Sequence, residues 1–291
     1  MKQVFLVILL AFGFVVGAQN KIVKKPKKQK PATTQVAPKK HKSQSKPTKG
    51  GTVKCVATKA SYSNGTLTVN GIKYNMVWVD GGTFRMGATS EQGSEISDEK
   101  PVHSVTLSGY YIGKTEVTQA LWQAVMGSNP SYFEGDDLPV EQVSWDDCQE
   151  FIRKLNSLTG QNFRLPTEAE WEFACRGGNN SRGYKYSGSN YIDNVARYDG
   201  NSGDKTHPVA TKSPNELGIY DMSGNVWEWC ADWYGDYSSG RQTNPKGPYD
   251  GSNRVFRGGS WFINAGRCRS SDRGSYHPTF RFYGLGLRLA L

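Results

Sequence analysis

One cysteine of this chain stands in a setting that favours reactivity. Cys268 lies between Arg267 and Arg269, and Ser260 precedes it by eight residues in the segment RGGSWFINAGRC. Neighbouring guanidinium groups stabilise the thiolate, which is the nucleophilic and metal-binding form of cysteine. A cysteine can equally be a small buried residue or one half of a disulfide. The residue types therefore leave two alternatives for Cys268, a reactive thiol or a packed one.

The other sulfur and imidazole groups do not suggest a metal site. The chain has five cysteines and no CxxC motif, and an odd number in an exported protein leaves at least one thiol free or paired between chains. Three histidines lie beyond the N-terminal tail, far apart and without ligand spacing, so a zinc or iron site built on histidine is not expected. The residues are Cys55, Cys148, Cys175, Cys230, Cys268, His103, His207 and His277.

Two carboxylates frame a second candidate site, in the segment DMSGNVWEW. Asp221 and Glu228 are seven residues apart around the turn at Gly224, which can aim backbone carbonyls inward. Carboxylate and carbonyl oxygens are the ligands that Ca²⁺ prefers. The alternative is a capped aromatic turn without a metal.

The N-terminal fifty residues differ in composition from the rest. Residues 1–18 combine Lys2, an apolar run and the small residues Gly17 and Ala18, which is typical of a cleavable secretory signal. Residues 19–50 hold eleven lysines, several prolines and no acid, so we expect a disordered linker. We therefore expect an exported protein, periplasmic, cell-surface or secreted, without a transmembrane segment.

The formal charge of +10 belongs to that tail. Residues 51–291 contain 24 basic and 26 acidic residues, so the folded part is not a basic domain. Lysines without interleaved aromatic residues do not favour specific nucleic-acid binding. Contact of the tail with anionic envelope surfaces is the interaction that its charge suggests.

Short elements are expected to position these groups. Alternation over residues 66–79 around Asn70-Gly71 predicts a β-hairpin, and residues 102–118 continue as strands. A short helix closed by Gly127 follows. Ser144 and Thr167 are N-caps of two longer helices, which end at Gly160 and at residues 177–178. Beyond residue 178 the pattern predicts irregular loops held by aromatic packing.

Five motifs follow one another along the chain: GGTFRMG, RLPTEAEWEFACRGG, LGIYDMSGNVWEW, RVFRGGSW and GLGLRLAL. Through these motifs the chain resembles the formylglycine-generating, sulfatase-modifying-factor family from about residue 77 to the C-terminus. The resemblance implies an α+β fold, a single compact domain of low regular secondary structure related to C-type lectins. We expect this domain at residues 51–291, with residues 51–76 as an N-terminal β extension.

The resemblance makes enzymatic activity doubtful. Formylglycine-generating enzymes oxidise a sulfatase cysteine with O₂ and a copper(I) ion held by two cysteines five residues apart. Cys268 occupies the second position of that pair, but Ile263 occupies the first. Ser260 matches the family, and Cys175 matches a half-cystine whose partner position is Leu289 here. We therefore do not expect Cu(I) binding, and Cys268 and Ser260 are catalytic candidates only if the protein is an enzyme.

The same resemblance assigns calcium ligands. It implies that Asp221 and Glu228 ligate Ca²⁺ by their side chains, and Gly224 and Val226 by their carbonyls. A second family calcium site falls, by a looser match, on Asn194, Val195, Asn201 and Gly203.

The C-terminal thirty residues have an unusual composition. From Phe262 onward there is no Lys, Glu, Gln, Met or Trp. These five residue types cannot arise when the two adenines of an asparagine codon that ends in a pyrimidine are mutated. Such a composition resembles that of protein segments diversified by retroelements. The alternative is that the composition arose by chance. The side chains there are typical of binding surfaces or of an inherited substrate groove. The candidate ligand-binding residues are Phe262, Asn264, Arg267, Tyr276, His277, Phe280 and Tyr283.

Three functional hypotheses follow. The first is an exported, non-catalytic module that displays its C-terminal segment to a protein or glycan ligand. The second is an oxidase that converts a sulfatase cysteine to formylglycine. The third is a structural component of an envelope assembly.

Overall fold

The computed structural model describes residues 58–93 and 97–291, which fall in one compact unit, Cys55–Leu291. The predicted signal peptide and linker lie outside the described residues. Within the described ranges, no helix has the length and apolar character needed to cross a bilayer.

The first sheet confirms the predicted hairpin. Asn70 and Gly71 both have positive φ, 50° and 88°, as a two-residue turn between twisted strands requires. The strand order is β1-β2-β3-β6, and every pairing is antiparallel. The strands are β1 (Ala60–Ser63), β2 (Thr66–Val69), β3 (Ile72–Val79) and, later in the chain, β6 (Tyr110–Gly113).

The predicted helices form with the predicted caps. Ser144 and Thr167 each complete a capping box, with Asp147 and Glu170 respectively. Gly127 and Gly160 end their helices in the left-handed conformation. The helices are α1 (Gln119–Met126), α2 (Trp145–Thr159), α3 (Glu168–Cys175) and the one-turn α4 (Ile192–Val195).

Two further sheets complete the architecture. One has the order β10-β9-β7-β11, with β11 parallel to β7, and the other has the order β4-β5-β8. Their strands are β4 (Gly82–Met86), β5 (His103–Leu107), β7 (Trp227–Trp233), β8 (Gln242–Thr243), β9 (Arg254–Arg257), β10 (Arg273–Tyr276) and β11 (Leu285–Leu287). The result is the expected α+β fold of short elements.

The seven-residue strand β7 was not predicted. Its first four residues are all buried, so both faces of the strand contact protein and the sequence does not alternate. In α2 the apolar spacing is confirmed for Cys148 and Phe151, which are fully buried, while Leu158 is exposed.

Buried ion pairs tie the C-terminal third to the earlier elements. Arg257, from β9, donates to Glu172 of α3 and lies 3.5 Å from Glu168. Arg269 pairs with Glu99 at 2.6 Å. Each of these pairs joins residues more than eighty positions apart, and all of these side chains are nearly or fully inaccessible to solvent.

Candidate functional site

Of the two alternatives for Cys268, a reactive thiol or a packed one, the structure supports the packed one. Its side chain is fully buried in an apolar cluster with Tyr186 and Val195. Its Sγ has one weak contact, 3.9 Å from the carbonyl oxygen of Asn264. Burial, and then the nearby Asp272, raise the pKa of Cys268 well above its usual range. The thiol is therefore neutral and enclosed, although arginines flank it in the sequence.

The surroundings of Cys268 offer no second soft ligand. Ile263 packs against the same cluster with its hydrocarbon side chain. On another side, a Cβ added to Gly259 would lie 2.5 Å from the cysteine Sγ, so the backbone itself closes the space. The hydroxyl of Ser260 is also fully buried, and within the described residues it has no hydrogen-bond partner. Copper(I) needs two soft ligands, and this set offers one.

Four of the seven predicted binding residues share one surface. Their rings join four others in an unbroken series of contacts, from Tyr276–Phe280 at 3.9 Å between centroids to Tyr132–Tyr283 at 6.0 Å. We call this series the aromatic band. Its members are Tyr132, Phe133, Trp261, Phe262, Tyr276, Phe280, Phe282 and Tyr283.

The other three predicted residues have local partners. The Asn264 side chain accepts a hydrogen bond from the Gly266 amide and caps a 3₁₀ turn, Ala265–Arg267. Arg267 pairs with Asp272 at 3.2 Å. His277 is exposed, and its Nδ1 lies 2.9 Å from the Thr279 hydroxyl. Asn264 and His277 are both exposed, whereas Arg267 is half-buried.

A cleft of about 520 Å³ adjoins the aromatic band. Tyr132 and Phe133 belong to both, because they line the cleft and contact Tyr283 and Trp261. Sequence reasoning missed this cleft, since its two lining segments are some seventy residues apart. The Tyr-Phe pair in the loop after α1 was the available signal. The lining residues are Tyr132, Phe133, Glu134, Leu138, Lys205, Thr206, His207 and Pro208.

Glu141 holds the aromatic loop in place. Its Oε1 accepts hydrogen bonds from the backbone amides of Tyr132 and Phe133, at 2.6 and 2.8 Å. Its Oε2 is buried and has no partner within the described residues. Burial raises the pKa of Glu141 to about 7. The folded protein therefore holds this proton at pH values where the unfolded chain, with a pKa of about 4.3, has lost it.

This difference predicts a pH effect on stability. The contribution of Glu141 to the free energy of unfolding is fully present below about pH 4.3 and is lost as pH rises through about 7. Glu141→Gln should remove this component, so the free energy of unfolding should fall less between pH 5 and pH 8 than in the unchanged protein. Urea denaturation at both pH values measures it. Glu134→Gln, at an exposed residue of the same loop, is the control; a pH profile for Glu141→Gln parallel to the unchanged one would contradict the assignment.

The predicted calcium carboxylates lie in a buried group of charges. Glu228 is fully buried and is already bound by Arg288 at 2.7 Å and by the indole of Trp171 at 2.7 Å. Asp221 accepts from the Ala210 amide at 2.6 Å. Burial raises the pKa of Asp221 to about 6. The charge of Glu228 is thus balanced by an arginine, while Asp221 has a backbone donor.

Glu116 is the residue here that the sequence did not identify. It is fully buried, and neither carboxyl oxygen has a hydrogen-bond partner within the described residues. Burial, followed by Asp221 and Glu228, raises its pKa well above the usual range. An orphaned buried carboxyl beside a second one is the kind of donor set that a cation stabilises. Across residues 58–93 and 97–291 no three acidic, histidine or cysteine side chains converge as metal ligands, so carbonyl oxygens such as those of Gly224 and Val226 would have to complete the set.

The residues of the second predicted calcium site have other contacts. The Asn201 amide oxygen accepts from the Tyr198 amide, and its nitrogen donates to Asp193 and to the Ala196 carbonyl. Val195 is buried as the last residue of α4, whereas Asn194 and Gly203 are exposed. This site stays a prediction.

Three further cysteines that the structure describes are packed in the interior, whereas Cys55 lies outside the described residues. Cys148, Cys175 and Cys230 are fully buried and, like Cys268, are unpaired in the described part of the chain. Burial raises the pKa of Cys175 to about 11. Its predicted partner position, Leu289, lies in the main hydrophobic core.

Curated relatives cover most of the chain. It is 35% identical over 280 residues to the protein named chaperone protein LppX of Paenibacillus barcinonensis, covering 79% of this chain and 92% of that protein. It is 30% identical over 286 residues to the formylglycine-generating enzyme of Mus musculus, covering 74% of each.

A solved structure agrees in fold. Treponema denticola variable protein 1 superposes with a TM-score of 0.70 and 37% sequence identity, over 77% of this chain and 97% of that one. Residues 67–291 match the family described as the sulfatase-modifying factor enzyme 1-like domain. The match begins at residue 67 in β2, ten residues before the motif-based estimate. The chain belongs to the formylglycine-generating-enzyme and sulfatase-modifying-factor family.

Proposed function

We propose that this protein is an exported, non-catalytic binding module that presents the aromatic band and the adjoining cleft to a ligand. The observation that carries the proposal is the environment of Cys268. The buried, neutral thiol of Cys268 packs in one cluster with Ile263. Ile263 occupies the position at which the oxidases of the family have the first cysteine of the copper-binding pair. The fold is thus kept while the metal-binding pair is not.

The band and cleft have the chemistry of a recognition surface. Aromatic rings give a large contact area at low entropic cost, and Tyr132 at the rim is 69% exposed. Lys205 and His207 on one side and Glu134 on the other add charge and hydrogen-bonding groups. A protein segment or a glycan fits such a lining, because both combine apolar faces with polar edges.

Diversification of this surface is part of the proposal. Phe262, Tyr276, Phe280 and Tyr283 come from the segment whose composition matches adenine mutation of asparagine codons, and all four belong to the aromatic band. The name of the Treponema relative describes that protein as variable. The adjacent DNA should contain a near-copy of the last hundred or so bases that differs at adenines. Its absence would remove diversification and leave the binding surface.

Calcium has a structural role in this proposal. Asp221, the orphaned Glu116 and the Gly224 and Val226 carbonyls would hold Ca²⁺, which supplies the positive charge that the buried carboxyls lack. Saturating Ca²⁺ should raise the melting temperature over an EGTA control, corresponding to about 2.7 kcal/mol at one hundred times the Kd. Glu116→Gln and Asp221→Asn should each abolish that rise. Mg²⁺ at the same concentration is the control, and an equal rise with Mg²⁺ or none with Ca²⁺ would refute the site.

The oxidase alternative is tested directly. The purified chain is mixed with Cu(I), O₂ and a sulfatase-derived cysteine peptide, and mass spectrometry follows the peptide. The proposal expects no mass loss from aldehyde formation. Turnover that disappears in Cys268→Ser would overturn the non-catalytic proposal in favour of a formylglycine-generating oxidase.

The binding surface can be tested with a simple probe. 1-Anilinonaphthalene-8-sulfonate carries aromatic rings and an anion, which match Tyr132, Phe133 and Lys205. Tyr132→Ala should weaken its binding about 2- to 10-fold, the value of one aromatic contact. Tyr249→Ala removes a fully exposed tyrosine outside the cleft and should have no effect. Equal behaviour of the two variants would count against the cleft as the binding site.

The envelope-assembly alternative is tested by a pull-down from a cell-envelope fraction. Recovery of a stable complex with a partner protein would support that alternative, and recovery of none would count against it.

A further inference from the structure

A second cleft, of about 490 Å³, lies away from the aromatic band. It is formed by the first turn of α3, the end of β7, strands β4, β5, β8 and β10, and the loop after β7. Its charged, imidazole and aromatic lining residues are His103, Glu168, Asp232, Trp233, Asp236, Tyr237, Lys246 and Arg273. The proposed function does not involve this cleft.

The charge of Glu168 is fully balanced. Arg273 donates to both of its oxygens, at 2.6 and 2.7 Å, and Arg257 lies 3.5 Å away. The Tyr237 hydroxyl donates to it at 3.2 Å. Glu168 therefore has no free capacity for a cationic ligand.

Asp232 is not balanced in this way. Its side chain is only 4% exposed, and its Oδ2 accepts one bond, from the Glu168 amide at 2.8 Å. Within the described residues no basic side chain lies within 4.0 Å of it, and its Oδ1 takes part in no hydrogen bond. Burial and the Glu168 charge raise the pKa of Asp232 to about 8. A buried carboxyl without a counter-ion is costly, and a bound cation would offset that cost.

His103 supplies a second free acceptor. The residue is 2% exposed, and its Nδ1 lies 3.0 Å from the Pro101 carbonyl, so this nitrogen carries the proton. The Nε2 of the neutral ring is then an acceptor. In the part of the chain that the structure describes, Nε2 has no partner. Two nearly buried residues thus each offer this cleft an unused acceptor.

The aromatic rings of the cleft do not form a sugar platform. The Arg254 guanidinium lies 3.5 Å from the Trp233 ring centroid, and that of Arg273 lies 4.1 Å from the Tyr237 centroid. One face of each ring is therefore covered by a cation. Stacking of a carbohydrate on these covered faces is therefore disfavoured.

We propose that this cleft binds a primary ammonium group, with Asp232 as its counter-ion and His103 Nε2 as a further acceptor. An ammonium group has three N–H donors and no acceptor, which matches acceptors that lack donors. The group can come from a free alkylamine or from a lysine side chain of a partner protein.

The site should release a proton on binding. Asp232 faces Glu168, Glu170, Cys230, Arg254 and Arg273, and the cleft around it also carries His103, Asp236 and Lys246. Among the nearest groups, Glu168 and Glu170 favour the protonated form of Asp232, and the arginines favour its ionised form. An ammonium ligand favours the ionised carboxylate. Between pH 6 and pH 7 the affinity should therefore rise about tenfold, with close to one proton released.

The test uses the full chain and n-butylammonium chloride in titration calorimetry, run in two buffers of different ionisation enthalpy. We expect binding with proton release, and much weaker binding of 1-butanol and of tetramethylammonium, which lacks N–H donors. Asp232→Asn keeps the acceptor for the Glu168 amide and should weaken binding by at least about tenfold. Asp236→Asn, an exposed carboxylate on the same cleft, is the matched control.

Several results would overturn the site. They are equal binding of 1-butanol, binding without proton release, or an Asp232→Asn variant that binds as the unchanged chain does. If Asp232→Asn does not fold, the comparison of the three probes on the unchanged chain still decides. Titration of Nα-acetyl-lysine amide beside n-butylammonium separates the sources: tighter binding of the lysine derivative identifies a lysine side chain of a partner, and tighter binding of n-butylammonium identifies a free alkylamine.

Discussion

Arg257→Met is expected to lower the free energy of unfolding by about 3–5 kcal/mol, because it removes a buried guanidinium that Glu168 and Glu172 share. Each carboxylate is left with one remaining arginine, Arg273 for Glu168 and Arg176 for Glu172. The Arg257 side chain is fully buried between Glu168 and Glu172 of α3. It also donates to the backbone carbonyls of Ser271 and Asp272, just before β10. Its loss therefore affects the junction of helix, sheet and C-terminal segment at once. Domains are stable by only about 5–15 kcal/mol, so the variant should be marginal at room temperature.

A surface pair provides the matched control. Arg153 pairs with Glu150 on α2 with side-chain exposures of 68% and 41%. Arg153→Met should leave the free energy of unfolding almost unchanged, since water screens this pair. Arg257→Lys keeps the charge but loses the planar fork, and its loss of stability should lie between the two. Urea denaturation measures all three, and equal effects of Arg257→Met and Arg153→Met would show that the buried network does not stabilise the fold.

The local elements were predictable because their signals are local. Asn70-Gly71 specifies its own turn, and the Thr167–Glu170 capping box is complete within four residues. Strand β7 was not predictable, because burial on both faces removes alternation. The buried ion pairs could not be predicted from the sequence for a different reason. Arg288 and Glu228 are sixty residues apart, and an arginine that pairs in the core looks, in sequence, like one on the surface.

The candidate site shows the same division. The aromatic residues of the C-terminal segment were identified from their types, and Phe262, Tyr276, Phe280 and Tyr283 do lie together. Tyr132 and Phe133, which extend the band into the cleft, come from a loop more than a hundred residues earlier. The arginines beside Cys268 suggested an activated thiol, but Arg269 is directed to Glu99 and Arg267 to Asp272. Sequence neighbours of a cysteine do not define its electrostatic environment, since side chains at adjacent positions point in different directions.

Ile263→Cys should create a copper(I) site that the unchanged protein lacks. Ile263 and Cys268 pack in one buried cluster, at the two positions that hold the cysteine pair in the oxidases that the chain resembles. Two thiolates suit this soft ion. We expect Cu(I) affinity to rise by more than the roughly 100-fold that outer-shell partners of a metal contribute, measured by competition with a chromogenic chelator. Because both thiols must lose protons, the affinity should also increase with pH.

Ile192→Cys separates a paired site from a merely added thiol. Ile192 packs against the same cluster as Cys268 but does not occupy the family position of the first cysteine. A rise in affinity for Ile263→Cys alone would show that the fold still brings positions 263 and 268 together as ligands, and that a single side chain separates this protein from a metal-binding relative. Equal affinities for both variants would mean that the two positions do not converge. Tight Cu(I) binding by the unchanged chain would mean that Cys268 has a partner elsewhere, and the non-catalytic function would then have to be abandoned.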